Sequence, residues 1–279
     1  MTIIKAVILG LIQGLSEFLP ISSSGHLAIA GQLMGMDPEG DSLLSFNILL
    51  HVATLAAVFI VYREDIWGMI KAFFGMLGDI FTGKGPGLKK DIYRRLVVML
   101  IVGTLPAVAA ALVFGDLIES PSLLVIGIFL IITALLLFVS ERLGGGNRTL
   151  ENMTVKDSVV VGCFQALGTL PGISRSGSTI VGGLFARLDK NVAVRFSFLL
   201  SIPAILGALV LDLKDVLSGT AQLAGWDCII VGMLVAGVSG YFAIRFLLNI
   251  VRKSKLSIFS IYCTIAGIAA IILNFTIRG

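Results

Sequence analysis

The chain has 279 residues, of which 57% are hydrophobic before its 32 glycines are counted, and only 14% are charged. Soluble domains average about 45–50% apolar residues with glycine included and about 25% charged residues. A soluble core of this size cannot bury such an apolar excess, so the composition excludes a soluble enzyme, a nucleic-acid-binding protein and a disordered chain.

Six segments are apolar and long enough to cross a bilayer as helices, since a span needs about 20 residues with few charges. In chain order they are 46–62, 96–114, 122–140, 192–211, 226–248 and 256–277. Residues 66–81 place apolar side chains at helical spacing, and we expect them to form an amphipathic helix on the cytoplasmic membrane surface. The chain is therefore predicted to be an all-α polytopic membrane protein.

Four apolar segments are too short to span: 6–16, 27–36, 158–170 and 177–186. Helices of this length reach about 15–20 Å, roughly half of a ~30 Å hydrocarbon core. The first pair flanks Glu17–His26, and the second flanks Pro171–Ser176. Each pair predicts a re-entrant hairpin, whose irregular turn must lie inside protein or against a water-filled cavity.

Lysine and arginine are unevenly distributed between the connecting segments. They are frequent in 63–95, 141–156, 187–195 and 249–255 and scarce in 37–45, 115–121 and 212–225. If both hairpins return to the side from which they entered, every rich segment lies on one side, which the positive-inside rule makes cytoplasmic. Both termini then lie outside.

The chain also contains an internal repeat. The sequence GLIQ at 10–13 recurs as GCFQ at 162–165, and LPIS at 19–22 resembles LPGIS at 170–174. Each half then holds one hairpin and three spans, and an odd number of spans inverts the second half relative to the first.

We therefore predict one membrane domain over 1–279, built as an inverted-topology repeat of residues 1–143 and 152–279. Such a repeat brings two broken helices together near the midplane, a geometry known from secondary transporters.

The first hairpin contains a carboxylate among apolar residues. Glu17 lies one helical turn after Gln13, so the two side chains share a helix face. A carboxylate at this depth is a functional candidate. It could bind a cation, move a proton, or stabilise the turn.

Polar residues that suit nucleophilic chemistry follow this carboxylate. Ser22, Ser23 and Ser24 precede Gly25 and His26. Each serine could be a helix N-cap. A histidine beside three serines and near a glutamate instead indicates a nucleophile or a general base.

The second hairpin carries a buried cation. Arg175 has no carboxylate nearby in sequence, and an arginine inside a membrane requires an anion. Its planar guanidinium suits phosphate. Hydroxyls, flexible backbone and a helix N-terminus complete a phosphate cradle, formed by Gly172, Ser174, Ser176, Gly177 and Thr179. The alternative is an ion pair with Glu17 that closes the hairpins onto each other.

Four further polar residues are weaker candidates. Asn47 and His51 are one turn apart at the outer end of the first span, where ordinary helix-end residues are expected. Gln165 and Thr169 are candidates for lining the site. The three cysteines are interpreted as packing residues without metal or disulfide spacing.

The two hairpin motifs resemble those of the undecaprenyl-diphosphatases, a bacterial membrane family also known for bacitracin resistance, over essentially the whole chain. The resemblance implies hydrolysis of undecaprenyl diphosphate to the lipid monophosphate that carries cell-wall precursors, with a divalent cation, Mg²⁺ or Ca²⁺. Catalytic roles would belong to Glu17, His26, Ser23 and Arg175, and cation binding to Glu17 and Gln13. Substrate binding would belong to Ser22, Ser24, Gly25, Gly172, Ser174, Ser176, Gly177 and Thr179.

Gln13 occupies a position that can be glutamate in that family, which argues against a two-carboxylate metal site. The resemblance also implies a bacterial plasma-membrane protein embedded in the lipid bilayer, with no nucleic-acid partner. Its site is expected to open to the outer face. Whether His26 or Ser23 attacks phosphorus, and whether the protein is a homodimer, stay open.

Other readings compete with a diphosphatase. Inverted repeats with broken helices also suit a lipid transporter or flippase. Ser24-Gly25-His26 and Ser174-Arg175 echo the acid-phosphatase-like lipid phosphatases, but the second histidine expected six residues after the arginine is Val181 here. A purely structural protein would not need buried Glu, Arg and His.

Overall fold

The computed structural model describes residues 1–36, 41–88, 91–114, 122–217, 224–252 and 256–277. These residues form eleven α-helices. In chain order the helices are α1 Ile3–Phe18, α2 Ser23–Leu33, α3 Asp41–Val61, α4 Arg63–Phe81, α5 Ile92–Phe114, α6 Leu123–Leu143, α7 Val155–Leu167, α8 Arg175–Phe185, α9 Lys190–Leu217, α10 Trp226–Arg252 and α11 Ser257–Ile277.

The long helices match the predicted spans. Within the described ranges, α5, α6, α9, α10 and α11 are each long and apolar enough to cross a membrane, and α3 with α4 forms a sixth candidate. The chain bends by 88° between α3 and α4, which separates the first predicted span from the predicted surface helix. The predicted all-helical polytopic membrane fold is confirmed.

Both predicted hairpins consist of short helices, α1 with α2 and α7 with α8. Their turns are shorter than predicted, because a serine caps the second helix of each hairpin. Ser22 Oγ accepts from the Gly25 N–H at 3.3 Å, and Ser174 Oγ accepts from the Gly177 N–H at 3.1 Å. Helix α2 therefore begins at Ser23 and not at 27, and α8 begins at Arg175 and not at 177.

The packing of the helices follows the internal repeat. Helix α1 packs on α10, while its counterpart α7 packs on α5. Helices α6 and α11 pack on each other at Gly127 and Gly267, where a Cβ on either residue would fall 2.6–2.7 Å from the other's carbonyl oxygen. Small residues allow such close approach of membrane helices. The first helix of each hairpin therefore packs against a long helix of the other half of the chain. The division into repeats 1–143 and 152–279 stays a prediction.

Basic segments gather at one end of the bundle. Arg195 at the start of α9 forms an ion pair with Asp65 on α4. Arg95 donates to the Met153 carbonyl at 2.7 Å, and the Arg148 N–H donates to the Arg187 carbonyl at 3.2 Å. Segments 63–95, 141–156 and 187–195 thus share a face, as predicted. The Lys/Arg-poor segments 37–45, 115–121 and 212–225 lie partly or wholly outside the described residues.

The buried core surrounds the second hairpin and the start of α9. Phe18, Phe196 and Phe198 are fully buried, and the rings of Phe18 and Phe198 meet edge to face at 5.5 Å. Cys228 and Cys263 are buried, as expected of packing residues, but Cys163 is exposed. The packing interpretation is therefore wrong for Cys163, because its apolar helix faces outward at that position.

Candidate active site between the two hairpins

The tips of the two hairpins contact each other directly. Arg175 Nη2 donates to Glu17 Oε1 in an ion pair. The Gly172 N–H donates to Ser24 Oγ at 3.3 Å, and Ser176 Oγ donates to the Leu19 carbonyl at 3.2 Å. The structure thus brings the carboxylate of the first motif onto the arginine of the second, which is the ion-pair alternative considered above.

Glu17 is the centre of the site. Its side chain is buried, and its Oε2 accepts from Ser23 Oγ at 2.8 Å and from Gln13 Nε2 at 3.1 Å. His51 Nε2 lies 3.5 Å from the same oxygen. A carboxylate at this depth is costly unless it is paired and hydrogen-bonded. Its neighbours come from α1, α2, α3 and α8, so the site exists only in the folded bundle.

His51 is a site residue that the sequence analysis missed. The interpretation of His51 as a helix-end residue is wrong, because α3 begins at Asp41 and His51 lies in its middle, beside the first hairpin. Its Nδ1 lies 2.8 Å from the Asn47 carbonyl, which can only accept, so Nδ1 carries a proton and Nε2 faces Glu17. The spacing of Asn47 and His51, one turn apart in an apolar helix, was the available signal.

His26 lies beside the same turn but does not contact Glu17. Its Nδ1 is 2.8 Å from the Ser22 carbonyl, and its Nε2 is 2.7 Å from the hydroxyl of Tyr262 on α11. The two rings are stacked, with centroids 5.5 Å apart and an interplanar angle of 12°. No motif in the sequence marked Tyr262, which lies within the last predicted span.

Several buried polar atoms at the site have no protein partner among the described residues. They include Arg175 Nη1 and Gln13 Oε1. Both amide atoms of Gln165, on α7, are also buried without a partner in the described part of the chain. Buried polar atoms are nearly always hydrogen-bonded to protein, water or ligand. A free guanidinium nitrogen suits an anion, while a free amide oxygen suits a cation.

The backbone of both tips is unusual. Ser22 has a φ of 73°, which is rare outside glycine, and Gly172 has a φ of 102°. A Cβ on Gly172 would lie 2.9 Å from the Ile126 carbonyl oxygen. Thr133 on α6 accepts from the Ser174 N–H at 3.0 Å. Helix α6 thus holds the second tip in a conformation that requires glycine, and strain of this kind concentrates at functional sites.

The remaining predicted residues of the two tips form hydrogen bonds within each tip. Ser22 and Ser174 cap their helices, which is the N-cap alternative; each lies 3.2–3.3 Å from a second serine hydroxyl, on Ser24 and Ser176 respectively. Gly25 and Gly177 supply the capped N–H groups. The structure brings these residues to the tips, and their contacts with substrate stay predictions.

Two predicted residues point elsewhere. The hydroxyl of Thr179 is buried 2.5 Å from Ser197 on α9. Thr169 is exposed and donates to the Ala166 carbonyl of its own hairpin at 2.8 Å. In the repeat, Gln165 corresponds to Gln13, but Thr169 takes the place of Glu17, so the second hairpin has no carboxylate at that position. Glu17, the carboxylate of the first hairpin, contacts polar side chains of both hairpins, Ser23 and Arg175.

A family model described as "Bacitracin resistance protein BacA" matches residues 6–269. The chain belongs to this family. Three of its relatives are named undecaprenyl-diphosphatase: those of Alkaliphilus metalliredigens (48% identical, covering 98% of this chain and 99% of the relative), Methanobrevibacter smithii (43%, 99% and 99%) and Carboxydothermus hydrogenoformans (43%, 97% and 97%). Membership of the BacA family confirms the resemblance inferred from the two hairpin motifs.

Proposed function

We propose that this BacA-family protein is an integral membrane hydrolase that converts undecaprenyl diphosphate to undecaprenyl phosphate and inorganic phosphate. One observation carries the proposal: the Glu17 carboxylate contacts both the Ser23 hydroxyl and the Arg175 guanidinium, from opposite hairpins. The shared name of the relatives supports this substrate. Such an activity would recycle the lipid carrier of cell-wall synthesis and confer bacitracin resistance.

The contacts suggest how the terminal phosphate is removed. Ser23 Oγ already donates its proton to Glu17, so attack of Oγ on the terminal phosphorus would transfer that proton to the carboxylate. The bond between phosphorus and the bridging oxygen breaks, and undecaprenyl phosphate leaves. Glu17 then passes its proton to the leaving undecaprenyl phosphate and, as a carboxylate again, deprotonates the water that hydrolyses the phosphoserine; that proton returns to Ser23 Oγ as inorganic phosphate is released. Ser23 is favoured over His26 as nucleophile, because both ring nitrogens of His26 have other partners.

Arg175 would bind the phosphate that is being transferred. Its Nη1 is buried and has no partner among the residues that the structure describes, and its Nη2 pairs with Glu17. A diphosphate entering the site would compete with Glu17 for this guanidinium, and two-nitrogen contacts to phosphate are strong and directional. Once released from Arg175, the Glu17 carboxylate would be free to accept the Ser23 proton. The ion pair would therefore keep the empty site closed. Its separation when substrate binds would free Glu17 to act as a base.

A divalent cation fits the first hairpin. Gln13 donates its amide N–H to Glu17, which leaves Gln13 Oε1 as a buried oxygen without a described partner. Oxygen atoms of this kind are ligands for Mg²⁺ or Ca²⁺. The described residues contain no cluster of three or more His, Cys, Asp or Glu side chains, so substrate oxygens or water would complete the shell. When bound, the cation would neutralise phosphate charge.

We place the protein in the plasma membrane, with the site open to the outer face. Support comes from the basic segments, which gather at one end of the bundle, since the positive-inside rule makes that end cytoplasmic. The first hairpin enters from the opposite end. The prenyl chain would lie along the apolar helices, with its diphosphate between the tips. The homodimer stays a prediction.

The test is phosphate release from undecaprenyl diphosphate by detergent-purified protein with Mg²⁺, with Ca²⁺ and with chelator. Arg175→Gln removes the proposed phosphate ligand, whereas Arg245→Gln changes an exposed arginine on α10 that donates to the Tyr241 hydroxyl. We expect cation-dependent release that is lost in the first variant and retained in the second. Protein that binds the lipid but releases no phosphate under any condition would support the transporter alternative, which the names of the relatives do not favour.

A further inference from the structure

We propose that Tyr262 is a positioning residue of this site, which holds His26 in one tautomer and one orientation beside the tip of the first hairpin. The effect on kcat rests on the proposed function, but the hydrogen bond between Tyr262 and His26 can be measured without turnover. Tyr262 belongs to α11, whose next residue, Cys263, also contacts the turn of the first hairpin, with its Sγ 3.6 Å from the Pro20 carbonyl oxygen.

The hydrogen bonds determine the tautomer. The Ser22 carbonyl can only accept, so His26 Nδ1, 2.8 Å away, carries the proton. A neutral imidazole then has its lone pair on Nε2, and the Tyr262 hydroxyl, 2.7 Å from that atom, must be the donor. The near-parallel stacking of the two rings, at 12°, removes the remaining rotational freedom of the imidazole.

This contact matters because of where Ser22 lies. Ser22 has a strained φ of 73° and directly precedes Ser23, the proposed nucleophile. The imidazole of His26 donates to the Ser22 carbonyl of the same hairpin, and Tyr262 of α11 donates to the imidazole. A chain of contacts therefore runs from α11 through His26 to the backbone of the nucleophile, without passing through the Glu17–Arg175 pair.

The position of Tyr262 also suits a boundary role. Its side chain is half-exposed on a helix whose neighbours Ile261 and Ile265 are exposed. Exposed apolar residues of a membrane helix face lipid, and tyrosine suits such a position, because its ring is apolar and its hydroxyl needs a partner. Tyr262 thus lies between the bilayer and His26 and presents its one polar group to the site.

The occupied Nε2 restricts what His26 can do. Reaction of His26 with a phosphoryl group would require one of its two hydrogen bonds to break, and the bond to Tyr262 is the one outside the hairpin. With both bonds intact, His26 supports the turn and does not attack. Tyr262 therefore favours the assignment in which Ser23 is the nucleophile and His26 orders the segment that carries it.

Tyr262→Phe tests the proposal, because it keeps the stacked ring and removes only the hydroxyl. The chain contains two histidines, so protein labelled with ¹⁵N in the imidazole rings gives two sets of ring signals in detergent micelles, and His51→Gln assigns them. We expect His26 to be protonated at Nδ1, and its Nε2 signal to move in Tyr262→Phe while the signals of His51 stay. Tyr241→Phe, which removes a hydroxyl that contacts Arg245 on α10, should change neither.

The kinetic arm uses the same variants. Loss of one neutral hydrogen bond that orders the nucleophile should lower kcat about tenfold with KM nearly unchanged, whereas Tyr241→Phe should keep both constants. Unchanged His26 signals in Tyr262→Phe would overturn the contact, and changed signals with unchanged kcat would overturn the positioning role. If the wild-type protein released no phosphate, the proposed function would fail, while the ring signals would still decide the contact.

Discussion

Glu17 and Arg175 are separated by 158 positions in the sequence, yet they form the ion pair that joins the tips of the two hairpins. A buried pair of this kind adds little net stability, because desolvation of both ions offsets their attraction. Removing one partner is far more costly, since the other is left buried and unpaired. The pair is therefore better explained by function than by stability, and its two members have testable roles.

Replacing Glu17 by Gln should abolish turnover. The amide keeps the size of the side chain but loses the charge and the basicity, so we expect kcat to fall by about 10³-fold. Loss of the partner of Arg175 should also lower stability by about 3–5 kcal/mol. Phosphate release and thermal unfolding in detergent measure the two effects separately.

Asp65→Asn is the matched control, because Asp65 also pairs with an arginine, Arg195, but on α4 and outside the site. This variant should lose less stability, since Arg195 is more exposed than Arg175, and it should retain turnover per folded molecule. Equal losses of turnover in both variants would mean that Glu17 acts only through folding.

Ser23 and Ser24 are adjacent serines with different surroundings. Ser23 donates to Glu17 at 2.8 Å, whereas Ser24 is exposed and accepts from the Gly172 N–H. We expect Ser23→Ala to lower kcat by at least about 10³-fold, because it removes the nucleophile, and Ser24→Ala to lower it less than about tenfold. Single-turnover phosphate release compares the two, and trapping of phosphoserine should succeed only when Ser23 is present. Turnover by Ser23→Ala near the wild-type rate would reassign the nucleophile to His26.

His51 should contribute to turnover, although its sequence position suggested an ordinary helix-end residue. Its Nε2 is 3.5 Å from Glu17 Oε2, so its removal changes the polar surroundings of the carboxylate. His51→Ala is expected to lower kcat about 10–100-fold, and His51→Gln, which keeps a polar side chain beside Glu17, should recover part of that loss. The measurement is kcat with saturating substrate. Wild-type kcat in His51→Ala would restore the helix-end interpretation.

Gly172 should be indispensable for packing as well as for backbone conformation. Its φ is 102°, and an added Cβ would lie 2.9 Å from the Ile126 carbonyl oxygen and from Phe129. Gly35 also has a positive φ, of 63°, but a Cβ there would meet no described atom within 4 Å. Gly35→Ala should therefore cost about 1 kcal/mol from backbone strain, and Gly172→Ala about 1–3 kcal/mol more from overpacking. Apparent melting temperatures test the order, and equal shifts would contradict it.

Much of the fold follows from local patterns. Span lengths, the two short-helix pairs and the segregation of lysine and arginine each depend on residues that are near one another in sequence, so they could be predicted. The predicted starts of α2 and α8 were late by a few residues, because the side-chain caps on Ser22 and Ser174 were not assigned to particular helices. The outward orientation of Cys163 was missed for a related reason: an apolar helix in a membrane gives no polar face from which to read direction.

The sequence by itself determined that this is a helical membrane protein with two polar hairpins, because the lipid environment requires long apolar spans and makes each intramembrane Glu, Arg or His conspicuous. Only the tertiary structure decided which of these side chains meet. It put His51 beside Glu17, gave His26 to Tyr262 and turned Thr179 toward Ser197. Those contacts depend on how separate helices rotate and pack against one another. Helix packing in a membrane depends on the complementary shapes of segments that are distant in sequence, and the pattern within one segment carries no information on them.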